Sequence, residues 1–456
     1  MAAGKVARVA TRLRGGGSAL PGLVAERVDP AFLSHALAGV PEGIVVVSGT
    51  NGKTTTTKML VALLRAHGKR VFSNPTGSNF TRGVISAMLG ELTVRRGRLD
   101  ADLAVVELDE AHSLVFAAAV RPTHALLLNV ARDQLDRFAE IDHTAGLLSR
   151  LAEQVGVGLV LNRDDAYVAR IAQLVTARAR PPDAPVIHYF GVHPSSADRL
   201  PELQEHDVRF PDTAVVPPVT GDDALLKPRD ERSFDILFGA HDQPGGDDDV
   251  GPIRLQQPGL AAMINATAAC AMARQLLGPV FDEAIAARAL AAVQPPFGRG
   301  EVIDVDGHPL ELVLVKNPAG FTVALGTYGG SPVATMIAIN DDYADGRDVS
   351  WLYDVSFDAL RAGGVALTSG VRAYDMALRL HYDGVSTGDV EPDLEAALTR
   401  FLAAHRGRPT RIFCTYTAMM ALRRMLAARF GLADIGVDAE PGITPGPEPA
   451  RAGDPR

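Results

Sequence analysis

Residues 47–60, VSGTNGKTTTTKML, follow the apolar run GIVV at 43–46 and decide how the first half of the chain is read. An apolar run, a glycine turn and a stretch with helical patterning predict strand, tight turn and helix in that order. Such a turn suits phosphate, because glycines let backbone N–H groups close on anionic oxygens and the start of a helix favours negative charge. The common phosphate-loop pattern, G-x-x-x-x-G-K-[ST], asks for a glycine five residues before its second one. Val47 stands there, so this is a shorter loop, built from Gly49, Thr50, Asn51, Gly52, Lys53, Thr54 and Thr55. Within it Lys53 is expected to reach the β- and γ-phosphates and the Thr54 hydroxyl to ligate Mg2+. A plain strand-to-helix turn carrying a surface lysine is the alternative.

A second acidic element belongs to such a site, since a carboxylate at the end of a neighbouring strand completes the metal shell in phosphate-loop enzymes. The run VVELDE, about fifty residues on, offers Glu107, with Asp109 and Glu110 as near alternatives. From GIVVVSG onward, apolar strands alternate with helical patterns, which predicts a parallel α/β sheet. The strands expected are GIVVVSG, RVFSN, LAVVELD, HALLLNV, VGLVLNRDD and APVIHYFG. Residues 193 to about 255 are rich in Pro, Asp and Gly and read as loop. The Ala-rich GLAAMINATAACAMARQLL restores a helix, and VQPPFGRG marks a boundary. A second α/β series follows, with strands LELVLVKN, VATMIAIN, VALTSG and RIFCTY. The organisation expected is a leader (1–40, ending in a short helix), an ATP-binding unit (41–295), a smaller C-terminal α/β unit (296–435) and a disordered tail (436–456).

Composition narrows the classes. A chain of 456 residues is too long for one ordinary core. With 47% hydrophobic residues and a net charge of -9 it has no basic track for nucleic acid. Only six of its 45 basic residues are lysines. Cys270 and Cys414 are far apart, which argues against a disulfide scaffold or a C-x-x-C metal site and fits a reducing cytoplasm. No apolar run approaches a membrane span, and the first residues lack the apolar stretch of a signal peptide. A cytoplasmic protein is expected, with contact of the leader with the inner membrane face left open.

The loop GTNGKTTT, followed in order by NPTGSNFTRGV, VELDEA, NVARDQLDRF and NRDD, resembles the ATP-binding central domain of the Mur ligase family. Those enzymes phosphorylate a carboxylate with ATP, and an amine attacks the acyl phosphate to give an amide. GGGSALPGLVAERVDP, FGRGEVI, NPAGF, NDDYADGRDVSWLYD and TYTAMMALR resemble the MurT subfamily in particular, so that the likeness covers most of residues 15 to 430. It implies ATP-dependent amidation of the D-glutamate α-carboxylate of the lipid II stem peptide to D-isoglutamine, in peptidoglycan synthesis. It also implies ammonia delivered by a GatD-like glutamine amidotransferase partner in a heterodimer. Asn265 of INATAA is implied near the adenine, Arg299 of FGRGE near the phosphates, and Thr76 and Asn79 near the acceptor. A stand-alone Mur-type or folylpolyglutamate-type ligase, and a nucleotide-gated binding subunit without ligase chemistry, are the other readings.

Departures from the amino-acid-adding Mur ligases are informative. Those carry a metal-binding His where this chain has Gln134, and a later carbamylated lysine; here no lysine lies between Lys69 and Lys227. Many MurT-like chains carry a four-cysteine zinc ribbon, which two cysteines cannot build, so no zinc is expected. The run Asn340–Asp354 collects Asp341, Asp342, Asp345, Asp348 and Asp354 around the chain's only tryptophan, Trp351, just past a strand. The resemblance implies that one of these aspartates completes the partner's Cys-His pair. Asp348 is the candidate, with Asp354 next and Asp345 also weighed, and Trp351 is expected to anchor the loop in the interface.

Overall fold

The computed structural model describes residues 19–74, 80–92, 99–131, 141–178, 184–199, 217–239, 241, 245–246, 248–295, 299–329 and 333–432. Two sheets organise it. The first has nine strands: β1 (Ile44–Ser48), β2 (Val71–Ser73), β3 (Leu103–Glu107), β4 (His124–Leu127), β5 (Gly158–Asn162), β6 (Val186–Val192), β7 (Ala224–Pro228), β8 (Ser233–Phe238) and β9 (Val250–Arg254). Their order is β2-β3-β1-β4-β5-β6-β7-β8-β9. Strands β1, β3 and β4 are buried along their whole length, as their unbroken apolar runs require of parallel strands covered on both faces. Alternate residues of β1 feed opposite cores: Val45 and Val47 meet Leu60 and Met263, while Ile44 and Val46 meet Phe72 and Phe116.

The six strands expected in this unit are all present. The Pro/Asp/Gly-rich stretch departs from its reading as loop, because it supplies β7, β8 and β9, and the sheet is mixed: β8 runs antiparallel to β7 and to β9. Ladder pairing to β6 and the burial of Leu225, Leu226, Phe234 and Ile236 outweigh the turn-rich composition around them. The short helix expected at the end of the leader is present as Phe32–Leu37, and a second helix, Ala19–Val28, precedes it. Helices Ala19–Val28 and Phe32–Leu37 bury Ala25, Phe32, Leu33, Ala36 and Leu37 in the same core as Val46 and Phe72. Gly22 is a close-approach position there, since a Cβ on it would overlap the backbone of Arg82.

Helix Leu260–Leu277 lies against the phosphate-loop helix, Lys53–Ala66, and against β5, β6 and β7. Among the described residues one stretch, Leu260–Val280, is long and apolar enough to cross a membrane, and most of it is buried in this core.

The second sheet holds β10 (Arg299–Val305), β11 (His308–Leu314), β12 (Ala334–Ala338), β13 (Val365–Ser369), β14 (Thr387–Glu391) and β15 (Thr410–Cys414). Its order is β10-β11-β15-β12-β13-β14, parallel except for the β10–β11 hairpin. Helices cover both faces, with Phe321, Trp351, Phe357 and Phe413 in one core and Leu312, Leu398, Phe401 and Leu422 in the other. Because β11, β15 and β12 are parallel neighbours, the segments that follow them gather at one end of the sheet. That end carries both regions of chemical interest.

Candidate functional site

Strand β1 lies between β3 and β4 in parallel register, with Val47 beside Glu107 and Ser48 beside Leu127. The loop after β1 therefore emerges between the end of β3 and the residues after β4, at the place where strand order reverses, which is where open α/β sheets seat ligands. Gly49 has φ 129 and Gly52 φ 87. A side chain on Gly49 would press on the Asn129 backbone, and one on Gly52 would overlap the Asn265 amide. Both glycines are thus demanded by conformation and by space.

Glu107 is the carboxylate that meets Thr54: Thr54 Oγ1 donates to its Oε1 at 2.8 Å. Asn74, at the end of β2, clamps the Glu107 backbone through both amide groups, at 2.8 and 2.9 Å. The two alternatives have other places. Glu110 lies 3.8 Å from Lys53 Nζ in a buried ion pair. Asp109 precedes helix Glu110–Ala119, and its Oδ1 is buried with no hydrogen-bond partner. Burial pushes the Glu110 carboxyl up despite the Lys53 charge. Burial also opposes ionisation of Asp109, but the hydrogen bond with Glu110 and the charges of Lys53 and Lys316 hold it below its ordinary value.

Lys53 is buried rather than a surface lysine. Its ammonium donates to Gly49 O at 2.5 Å and Thr50 O at 3.3 Å. The loop's other side is held by the segment after β4: Asn51 N donates to Asn129 Oδ1 at 2.8 Å, Asn129 Nδ2 to Asn51 O at 3.0 Å, and Thr50 N to Asn129 O at 3.0 Å. Thr55 is buried in the first turn of the helix, and Asn265 faces Gly52 from helix Leu260–Leu277.

Two groups come from the second sheet. Lys316, just past β11, donates to Thr50 O at 3.2 Å, and Asn317 Nδ2 donates to Asn51 Oδ1 at 3.1 Å. Asn317 also caps helix Pro318–Tyr328 through Gly320 N at 2.7 Å, so the residue that touches the loop is fixed by its own helix. Sequence reasoning assigned no role to Lys316, Asn317, Asn74 or Asn129. One signal was available: a lone lysine directly past an apolar strand in a lysine-poor chain. Arg299 opens β10, with its side chain outside the described residues, as are Thr76, Asn79 and Gln134.

This arrangement fits a nucleotide triphosphate and Mg2+. Backbone N–H groups at a helix start and two lysines face one loop, and a hydroxyl–carboxylate pair stands beside it, the donor set of a magnesium–phosphate site.

At the same end of the second sheet, the aspartate-rich run divides by environment. Asp345 is buried, and its carboxylate accepts from Thr417 N at 2.8 Å and from the Thr417 hydroxyl. Burial raises its pKa. Asp341 is bound to Arg372 at 2.7 Å. Asp348 is exposed, and Ser350 N donates to its Oδ1 at 2.8 Å, the main reason its pKa is lowered. Trp351 departs from its expected interface role: it is buried and packs inward, its ring 6.3 Å from that of Phe321. Cys270 and Cys414 are buried with thiols pushed well up by that burial, so neither is set up as a nucleophile.

Fold and loop define a ligase of the Mur type. The Mur ligase middle domain matches residues 47–205 and the MurT ligase C-terminal domain residues 314–419. The fold is similar to MurF of Thermotoga maritima in complex with ADP (TM-score 0.62, 16% identity, 89% of this chain and 84% of that one). It is also similar to a pseudomurein peptide ligase type C of Methanothermus fervidus (TM-score 0.61, 17% identity, 87% and 80%). In sequence, the MurT subunit of lipid II isoglutaminyl synthase (glutamine-hydrolyzing) of Streptococcus pneumoniae is 30% identical over 443 residues, covering 91% of this chain and 93% of that one. The corresponding subunit of Staphylococcus aureus strain COL is 28% identical over 401 residues, 82% and 85%. The chain belongs to the MurT family.

Proposed function

We propose that the chain is the ATP-using subunit of a lipid II isoglutaminyl synthase and that it acts with a glutamine-hydrolysing, GatD-like subunit at the cytoplasmic face of the membrane. In this reading residues 41–295 form the ATP-binding unit and 296–435 the C-terminal unit. The D-glutamate α-carboxylate takes the γ-phosphoryl group of ATP, releasing ADP. Ammonia then adds to the acyl carbon, phosphate leaves, and a proton is lost as the amide forms. Lys53 and Lys316 hold the phosphate charge from two sides, and Arg299 approaches it from the start of β10. Thr54 and Glu107 hold Mg2+, which when bound neutralises charge on the phosphates. Asn265 reaches a nucleotide seated on the loop from the helix behind it. Asp348 orients the partner's histidine.

One observation carries this reading. The same end of the second sheet closes on the phosphate loop through Lys316 and Asn317 and, two strands away, holds Asp348 out to solvent. The test is amidation of lipid II by the purified chain with ATP, Mg2+ and high ammonium chloride, followed by mass spectrometry of the stem peptide. ADP and phosphate are the expected products. AMP and pyrophosphate, or transfer of an amino acid in place of ammonia, would sink the proposal.

A further inference from the structure

The chain has eight tyrosines, and five of them, Tyr343, Tyr353, Tyr374, Tyr382 and Tyr416, are exposed and lie in the C-terminal unit. Two of these, with an exposed leucine, lie on helix Ala373–Tyr382 at the spacing of one face: Tyr374 (68% exposed), Leu378 and Tyr382 (67%). Val371, exposed, extends the stripe by one turn, and Tyr353, exposed, joins it, its ring 6.4 Å from that of Tyr382. Single exposed apolar residues need no explanation, but a contiguous stripe of aromatic and aliphatic side chains marks an interaction surface.

The stripe is tied rigidly to the aspartate-rich run. Arg379, buried on the inner side of the same helix, donates to Leu352 O at 3.0 Å and Val355 O at 2.6 Å and pairs with Asp383 at 2.5 Å. Its guanidinium also lies 5.5 Å from the centre of the Tyr353 ring. Helix and aspartate turn therefore move as one body, and whatever seats on the tyrosines is set in register with Asp348.

Charge selects the occupant. Residues 340–383 contain eight aspartates, four arginines and no lysine. Three of those arginines are already bound to neighbouring aspartates: Arg361 to Asp358, Arg372 to Asp341 and Arg379 to Asp383. A second copy of this face, or an anionic lipid surface, would bring like charge against like. A protein with apolar sockets rimmed by lysine and arginine complements it.

We propose that the Val371–Tyr374–Leu378–Tyr382 stripe with Tyr353 is the docking face for the glutamine-hydrolysing subunit, and that the partner's contacting surface is basic and socketed. This rests on the proposed function for the partner's identity. Tyrosines that pack in sockets are the residues that dominate such interfaces, so Tyr374→Ser with Tyr382→Ser should weaken association by about 10²-fold or more. Both side chains are solvent-exposed, so the fold tolerates the change.

The experiment is co-expression of the full chain with the glutamine-hydrolysing subunit, measuring association by pull-down and titration and amidation with glutamine or with ammonium chloride. The expected result is loss of association and of glutamine-driven amidation with ammonium-driven amidation unchanged, and affinity of the unaltered pair that falls with added salt. Undiminished association would overturn the proposal. So would equal loss with both nitrogen sources, or a wild-type dimer of this chain that the two substitutions dissociate. Failure of the unaltered chain to amidate with ammonium would count against the proposed function, while the association measurement still judges the surface.

Discussion

Gly52→Ala tests the phosphate loop where conformation and space act on one atom. At φ 87 an alanine pays about 1–2 kcal/mol for the left-handed conformation. Its Cβ would also overlap Asn265 Oδ1 and lie 3.2 Å from the Asn265 Cγ. Turning that amide away costs roughly 0.5–1.5 kcal/mol of rotamer strain. The sum, about 1.5–3.5 kcal/mol, lowers the melting temperature by roughly 3–14 °C in a unit of this size and leaves it folded. ATP binding suffers separately, because the shift occurs in the backbone that would face the phosphates, and a loss of about 10²-fold in affinity is expected. Thermal melts and calorimetric ATP titrations of Gly52→Ala, Asn265→Ala and the double variant separate the parts. Removing the Asn265 amide should return roughly 1 kcal/mol, the steric share, and leave the conformational share in place. A Gly52→Ala protein that melts and binds ATP as the parent does would refute the reasoning. An unchanged cost in the Asn265→Ala background would refute its steric half.

Lys53→Ala should abolish ATP-dependent amidation. It should also lower stability, since the lysine is buried against Glu110 and not at a solvent-facing turn; a normal melt would contradict that placement. Lys316→Ala should cut ammonium-driven amidation by about 10²-fold, the scale of losing one donor to developing charge. Because Lys316 lies outside the central sheet, binding of ADP should change far less, and equal loss of both would place it in the fold. Asp348→Asn should remove glutamine-driven amidation by about 10²-fold or more while ammonium-driven amidation survives; no loss with either nitrogen source returns the run to a solvated turn. Asp345→Ala should instead lose about 1–3 kcal/mol of stability by leaving Thr417 N–H unpaired, read as a lower melt.

The sequence alone determined the parts whose physics is local. Short apolar runs bounded by turn residues read as strands, so β1 to β6 were legible, and Gly49, Gly52 and the Lys53–Thr54 pair carry their chemistry within six consecutive residues. Tertiary structure decided everything that depends on what lies opposite. Strand β14 is polar in isolation and β7 to β9 are set in a turn-rich stretch; all four exist because a neighbouring ladder accepts them. VVELDE offered three carboxylates; the β1–β3 register chose Glu107 for Thr54 and sent Glu110 to Lys53. DDYADGRD offered five aspartates across the run to Asp354; Asp345 is buried against Thr417 and Asp341 is bound to Arg372, while Asp342, Asp348 and Asp354 stay exposed. Lys316 and Asn317 meet the loop across 266 residues of chain. No local pattern encodes that encounter, because it is made by two independently formed sheets whose strand ends come to face one another.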